Sequence, residues 1–250
     1  MGLCESEALI LRTYSLAEAD KIIVALTQDH GVIRGVAKGA KRLKSQFGGS
    51  LEPFSVVQIT YFQKENVELA SIRHIEIVKS YFKIASSPEF LQKFAYLIEL
   101  LIEFAPPHDP NERLYRMAKV CLETVSDIPE SLESTSVYFQ IWLLKLCGYL
   151  PDWGSCERCG NDFREDDSAA LQLNFRLRCS KCRDSRVDKT VPPGIRSIWL
   201  TVQSKAPARF FEISGGRSND FSEITIILRR IVSQILGREV FGETILSAKG

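Results

Sequence analysis

Two pairs of cysteines constrain the fold of this chain more than any other feature. Cys156 and Cys159 enclose two residues, Cys179 and Cys182 enclose two more, and residues 160–178 separate the pairs. Two C-x2-C turns at this spacing offer four thiolates to one tetrahedral zinc ion. Because all four ligands are sulfur, no position is left for water, so we expect one structural zinc ion per chain. The alternatives are two surface disulfides or four free thiols, and the spacing favours zinc.

The overall composition is typical of a soluble globular protein. The chain has 250 residues, 45% apolar and 25% charged, which suits one large domain or two to three smaller ones. The cysteine count is odd, at seven, and the first residues carry no signal segment, so we expect a reducing cytoplasm. An apolar run near residues 97–104 is broken by Glu99 and Glu103, so we expect no membrane span.

The amino-terminal third of the chain has the pattern of a small β domain. Short apolar runs predict five strands, at about residues 7–12, 20–28, 32–38, 57–62 and 67–78. Asp29, His30 and Gly31 form a tight turn that joins the second and third strands in a hairpin. Gly35 and Gly39 interrupt the third strand and predict a bend or a bulge. Five short, curved strands favour a closed OB-type barrel, and an open sheet is the alternative.

After the fifth strand the apolar spacing changes to that of helices. Ser87 followed by Pro88 predicts a helix start, and Pro106 with Pro107 predicts the end of that helix. Further helical patterns lie at about residues 111–125, 131–147, 193–204 and 220–236.

The cysteine pairs belong to a polar segment, at about residues 152–189, that lies between helical patterns. Its apolar residues are too few for an independent core, so the metal would supply the missing stability. The predicted fold class is therefore α+β. An N-terminal five-stranded OB-type β-barrel occupies residues 1–80, and a C-terminal α-helical domain with the inserted four-cysteine zinc module occupies residues 81–250.

Positive charge is concentrated in one stretch of the predicted barrel. Between His30 and Leu51 there are five cations and no acid, namely Arg34, Lys38, Lys41, Arg42 and Lys44. A basic, glycine-containing loop on a small barrel is a common place to bind the phosphates of a single strand. Phe47 and Tyr61 are candidates to stack on a base. The alternative is a solvated loop, and the absence of a compensating acid favours anion binding.

A second group of cations surrounds the second cysteine pair. It consists of Arg176, Arg178, Lys181, Arg183, Arg186 and Lys189, opposed only by Asp184 and Asp188. These side chains either contact phosphate or balance the negative charge of four zinc-bound thiolates. The sequence leaves both interpretations open.

The sequence offers few candidates for catalysis. His30, His74 and His108 are scattered over a turn, a strand and a proline-rich loop, and we predict turn, solvent-facing strand and loop roles for them. The chain has no P-loop, no dinucleotide-binding glycine motif and no HExxH motif. We therefore predict a binding protein without catalytic residues, not an enzyme. A zinc-dependent hydrolase is disfavoured by the all-cysteine ligand set.

Two blocks of sequence resemble the RecO family of bacterial recombination-mediator DNA-repair proteins. The first block contains Leu11-Arg12-Thr13, Glu18, Asp20, His30-Gly31, the run Val36-Ala37-Lys38-Gly39-Ala40 followed by basic residues, and Leu51-Glu52-Pro53-Phe54. The second block contains Gly148-Tyr149-Leu150-Pro151 and Cys156-Glu157-Arg158-Cys159-Gly160. The blocks occur in the family's order and at its separation.

This resemblance implies a fold and a function. Family members have an N-terminal OB barrel and a helical domain that carries a zinc site in many of them. They bind single- and double-stranded DNA, anneal complementary strands and are not enzymes. They act with RecR, and sometimes RecF, to load RecA onto strands coated with single-stranded-DNA-binding protein. The resemblance thus implies a cytoplasmic, nucleoid-associated bacterial protein. The alternative function is an RNA-binding module with a structural zinc ribbon.

Overall fold

Five β-strands near the amino terminus close into a barrel. A computed structural model describes residues 2–65, 67–183, 189–215 and 217–240. The barrel strands are β1 (Gly2–Leu16), β2 (Asp20–Thr27), β3 (Gly31–Ala37), β4 (Ser55–Gln63) and β5 (Ala70–Ser80). Their order around the barrel is β1-β2-β3-β5-β4, and all neighbours are antiparallel except β3 and β5. The predicted α+β class and five-stranded barrel are confirmed.

The barrel core is formed by apolar side chains at every second position of the strands. Ala8 and Ile10 of β1 point inward, as do Ile23 and Ala25 of β2 and Ile33 of β3. A side-chain period of two places every second residue of a strand on one face, so the apolar residues of all five strands meet inside. Burial of this apolar set is the main contribution to the stability of the barrel.

Gly35 permits a close approach of two strands, and the predicted bulge at this position is wrong. The pairing of β2 with β3 runs without interruption from Lys21 to Thr27. A Cβ atom on Gly35 would lie 2.3 Å from the Cδ1 atom of Ile72, so a larger residue here would force the Ile72 side chain to shift. Gly39 lies beyond the end of β3, with a φ of 72° that favours glycine.

Replacement of Gly35 by alanine is expected to destabilise the barrel by about 1–3 kcal/mol, because the new methyl group displaces Ile72 from a filled core. The measurement is a denaturant unfolding curve of each variant. Gly49→Ala is the matched control, since its Cβ would meet no atom within 4 Å and its φ is not positive. An equal midpoint for both variants would contradict the packing explanation.

Three helices follow the barrel and complete the first compact unit, residues 2–129. They are α1 (Phe82–Ala85), α2 (Pro88–Phe104) and α3 (Glu112–Asp127). The Ser87 Oγ atom accepts a hydrogen bond from the Phe90 N–H group at 3.5 Å, so the predicted start of α2 is confirmed. The Phe54 ring contacts the rings of Phe90 and Phe94 edge to face, which joins α2 to the barrel.

An ion pair fixes α3 on the first strand. The Lys119 Nζ atom donates to the Glu7 Oε1 atom at 2.6 Å, and the Tyr115 hydroxyl donates to the same oxygen at 2.7 Å. Partial burial raises the pKa of Glu7, but these two hydrogen bonds lower it more, so its pKa lies below the ordinary value. The carboxylate therefore stays charged at neutral pH and holds both partners.

The second compact unit, residues 130–240, is helical and contains the cysteine segment. Its helices are α4 (Leu132–Leu146), α5 (Pro193–Val202), α6 (Pro207–Ser214) and α7 (Ser218–Leu236). A small sheet of β6 (Ala169–Leu171), β7 (Leu177–Arg178) and β8 (Lys189–Val191) lies between α4 and α5 in sequence. The helical domain with its inserted four-cysteine module is confirmed, and α6 is an additional helix that the sequence did not predict. The division of domains at residue 80 stays a prediction.

Two tryptophans join the inserted module to the helices. The rings of Trp153 and Trp199 are stacked with centroids 3.9 Å apart, and the Trp153 Nε1 atom donates to the Phe175 carbonyl at 2.9 Å. Both side chains are fully buried, so the module shares the core of its unit. In the parts of the chain that the structure describes, no helix is long and apolar enough to cross a membrane.

Candidate metal centre and nucleic-acid interface

The four predicted cysteine ligands converge on one point. The Sγ atoms of Cys156, Cys159, Cys179 and Cys182 all lie within 4.8 Å of one another. A tetrahedral ion with Zn–S bonds of about 2.3 Å requires sulfur–sulfur distances of about 3.8 Å. The Cys159 and Cys179 sulfurs are 3.9 Å apart, so the donor set fits a tetrahedral thiophilic metal.

Backbone hydrogen bonds shape both cysteine turns. In the first turn, the Gly160 N–H group donates to the Cys156 carbonyl at 2.8 Å, and the φ of Gly160 is 73°. In the second turn, the Cys182 N–H group donates to the Cys179 carbonyl at 2.9 Å. These bonds are typical of C-x2-C turns, which place both sulfurs of a pair on one side of the backbone.

The local environment also favours thiolate formation at one cysteine. Burial raises the pKa of Cys156, but backbone hydrogen bonds from Cys159, Cys179 and Arg158 lower it more, to about 6. A hydrogen bond with Cys179 raises the pKa of Cys182 to about 12. A metal that binds all four sulfurs must displace the protons that remain, so its affinity increases with pH.

A buried arginine holds the loop between the two cysteine turns. Arg196 of α5 is 3% exposed, and its Nη2 atom donates to the carbonyls of Arg164 and Glu165. Its guanidinium also lies over the Phe163 ring, 5.3 Å from the centroid. The arginine occupies a helical position that the sequence pattern does not distinguish from a surface position, and we did not predict its role.

The predicted basic stretch continues from β3 into an exposed loop. Lys38, Lys41, Arg42 and Lys44 are exposed, and among the described residues no carboxylate lies within 4.0 Å of their charged atoms. The Lys41 N–H group donates to the Ala19 carbonyl at 2.9 Å, which fixes the loop against the turn between β1 and β2. All four cations are thus exposed on a fixed backbone, and the Lys41 Nζ atom also donates to the Ala17 carbonyl at 3.2 Å.

A groove of about 520 Å³ lies beside this loop at one end of the barrel. It contains three cations, Lys38, Lys64 and Arg73, and one acid, Asp20, whose carboxylate accepts a hydrogen bond from the Gly39 N–H group at 2.7 Å. Its apolar lining consists of Leu16, Val36, Phe62, Val67, Leu69 and Ala70. Cations beside an apolar surface suit a ligand with phosphates and planar bases.

Comparison with known proteins identifies the family. The family model described as "Recombination protein O N terminal" matches residues 1–81, and the one described as "Recombination protein O C terminal" matches residues 94–240. This chain belongs to the RecO family.

Curated RecO-family relatives cover most of the chain. The DNA repair protein RecO of Koribacter versatilis is 32% identical over 207 residues, which is 82% of this chain and 79% of the relative. The protein of the same name from Geobacter metallireducens is 30% identical over 73% of each chain. That from Dehalococcoides mccartyi is 23% identical and covers 94% of this chain and 91% of its own length. The predicted resemblance is confirmed.

Arg34 lies apart from the other predicted cations in this RecO-family barrel. Its Nη1 atom is 3.1 Å from the Glu68 Oε1 atom, so its charge is partly compensated by an exposed ion pair. Lys64 and Arg73, in contrast, join the groove although they lie outside the stretch that the sequence emphasised. Only the folding of β4 and β5 brings these two residues close to Lys38.

The two aromatic candidates for base stacking are wrong. Phe47 and Tyr61 are each 2% exposed and belong to the barrel core, so neither ring can contact a base. Phe62 follows Tyr61 and points to the other face of β4, where it lines the groove. The sequence of β4 could have predicted this, because adjacent strand residues face opposite sides and Phe62 must face away from the core that Tyr61 fills.

The second group of cations is divided between ion pairs and solvent. The Arg178 Nε atom is 3.6 Å from a Glu157 oxygen, and the Lys189 Nζ atom is 2.8 Å from a Glu223 oxygen. Arg176, Lys181 and Arg183 are exposed, while Arg186, Asp184 and Asp188 lie outside the described residues.

The histidines of this RecO-family chain take the places predicted for them. His30 lies in the turn between β2 and β3, His74 is exposed on β5, and His108 lies in the loop between α2 and α3. The His30 ring contacts Tyr61 edge to face at 6.0 Å. In the described parts of the chain, the four cysteines form the one group of side chains that could hold a metal ion.

Proposed function

We propose that this protein is a DNA-repair and homologous-recombination mediator that binds DNA and anneals complementary single strands. The observation that carries the proposal is the set of solvent-facing cations, on the basic loop and in the adjoining groove, at one end of the barrel. The names of the curated relatives, all DNA repair proteins, support the same assignment.

Charge neutralisation explains how such a surface promotes annealing. Lysine and arginine side chains that contact phosphates release condensed counterions, so binding is strong at low salt and weak at high salt. Two complementary strands whose charge is partly neutralised repel each other less and can pair. This process makes and breaks no covalent bond, in agreement with the proposal that the protein is not an enzyme.

The groove supports single strands as the preferred ligand. Its apolar lining, with the half-buried ring of Phe62, is available to unstacked bases, while Lys38, Lys64 and Arg73 are available to phosphates. In duplex DNA the bases are stacked on each other and do not present their faces to such a surface. Duplex binding would therefore rely on the phosphate contacts alone.

Membership of the RecO family supports further proposals about the protein's partners, metal and location. We propose that the protein acts with RecR, and in some settings RecF, to help RecA replace single-stranded-DNA-binding protein on single strands. We propose Zn2+ as the ion for the four cysteines, because an all-thiolate tetrahedral set is typical of structural zinc. We also propose a cytoplasmic location at the nucleoid.

The second candidate function is an RNA-binding module with a structural zinc ribbon, because cations and an apolar groove suit either nucleic acid. We expect unlabelled single-stranded DNA to displace a labelled DNA strand at least as well as RNA of equal length and sequence. This expectation rests on the curated relatives, which are named DNA repair proteins. Displacement by RNA at concentrations at least tenfold lower would support the RNA module instead.

A further inference from the structure

Leu43 is the most exposed of the large apolar side chains that the structure describes. Its relative exposure is 107%, and the next highest value is 71%, for Leu173. A single exposed leucine on a surface is ordinary. The position of Leu43 is not ordinary, because it lies in the middle of the basic loop, between Arg42 and Lys44.

The backbone around Leu43 is held in a defined shape. The Arg42 N–H group donates to the Gly39 carbonyl at 3.1 Å, and the Ser45 N–H group donates to the Arg42 carbonyl at 2.9 Å. Leu43 is therefore the second residue of a hydrogen-bonded turn. On either side of this turn the chain is attached to the barrel, through the Lys41–Ala19 backbone bond and through the buried Phe47 ring.

Exposed cations flank Leu43 on both sides in the basic loop. The exposed side chains of Arg42 and Lys44 have no carboxylate partner in the described part of the chain and are available to successive phosphates. With both cations on phosphates, the side chain between them would lie beside the bases that those phosphates flank. Leucine is one of the apolar side chains that proteins insert between neighbouring bases.

We propose that Leu43 inserts between two bases of the DNA strand that the basic loop holds, an inference that rests on the proposed function. Insertion removes the exposed leucine from water, which is its main driving force. It also separates stacked bases of a strand and leaves their pairing edges free. The loop thus contributes an apolar contact to bases in addition to its ionic contacts to phosphates.

The test compares two ligands of equal length and charge, a single-stranded oligonucleotide and an abasic strand with the same phosphodiester backbone. Leu43→Ser should bind the normal strand about tenfold more weakly than the wild type, the loss expected from one leucine side chain. It should bind the abasic strand with unchanged affinity and keep the wild-type salt slope, because no phosphate contact is removed. Leu43→Phe should retain wild-type affinity for the normal strand.

Two control variants separate this contact from other effects. Leu173→Ser removes the next most exposed large apolar side chain, which lies in the cysteine module, and should leave both affinities unchanged. Lys44→Ala should weaken binding to both strands and reduce the salt slope by about 0.7, the value for one lost contact.

Equal affinities of Leu43→Ser and the wild type for the normal strand would overturn the inference, because Leu43 would then make no contact with the bases. Equal losses on both strands would also overturn it, since the bases would then play no part. A wild-type protein that fails to bind any strand would overturn the proposed function together with the inference, so the two failures are distinguishable.

Discussion

Replacement of Cys179 by serine is expected to abolish metal binding and to unfold the cysteine segment. The four sulfurs lie within 4.8 Å of one another, and a tetrahedral site with three thiolates and a hydroxyl binds zinc far more weakly. The binding free energy of a structural zinc is about 10–16 kcal/mol in small zinc-dependent peptides, and it contributes directly to folding. A loss of several kcal/mol in the free energy of unfolding is therefore expected.

The damage should spread into the second unit, because the segment shares that unit's core. Trp153 stacks on Trp199 of α5, and Arg196 of the same helix holds the loop at Arg164 and Glu165. If the cysteine segment unfolds, the buried side chains of Trp199 and Arg196 on α5 lose their partners. We expect a lower melting temperature and exposure of tryptophan, which fluorescence reports directly.

Elemental analysis and thermal unfolding together check this prediction. Wild-type protein purified without chelator should contain about one zinc per chain, and Cys179→Ser about none. Cys4→Ser is the control, because Cys4 lies on β1, outside the cluster, and its replacement should leave the metal content unchanged. Wild-type protein with less than about a tenth of an equivalent of metal would contradict the assignment of a structural zinc.

Simultaneous replacement of Lys38, Lys41 and Arg42 by alanine is expected to cause the largest loss of DNA binding. Each phosphate contact on a single strand contributes about 0.7 to the slope of log affinity against log salt. Loss of three contacts should therefore lower the slope by about 2 and the affinity at about 0.1 M salt by roughly a hundredfold. The three side chains are exposed, so the fold should remain intact.

A variant with the same change of charge at other exposed positions provides the control. Lys83, Arg113 and Lys205 are exposed and lie outside the groove, and their triple replacement by alanine should reduce binding only slightly. A general electrostatic attraction would weaken binding equally in both variants. If the two triple variants have the same affinity and slope, the basic loop is not the DNA-binding surface.

Local patterns predicted the strands and most of the helices. Alternation at Val57, Ile59 and Tyr61 reflects the inward face of β4, and the Ser87-Pro88 pair marks the start of α2 through a capping hydrogen bond. The cysteine spacing likewise predicted that the four cysteines lie together, since the geometry of a C-x2-C turn is set within a few residues. In each case the local structure is determined by residues that are close in sequence.

Features that depend on contacts between distant residues were not predicted. Lys64, just after β4, and Arg73 of β5 share the groove with Lys38 because the barrel closes, and Gly35 lies against the side chain of Ile72. Phe47 follows a basic, loop-like segment, yet its ring fills the barrel core. The α6 helix, Pro207–Ser214, is too short to show a clear helical period.

We propose that exposed cations on the barrel bring polyanionic strands together without covalent chemistry. The most direct test follows the pairing of two complementary oligonucleotides, labelled with donor and acceptor fluorophores, at low and at high salt. Wild-type protein should accelerate annealing at low salt, added salt should suppress this effect, and the Lys38/Lys41/Arg42 triple variant should lack it. Strands that remain unpaired at their spontaneous rate in the presence of wild-type protein, even in dilute buffer, would contradict it.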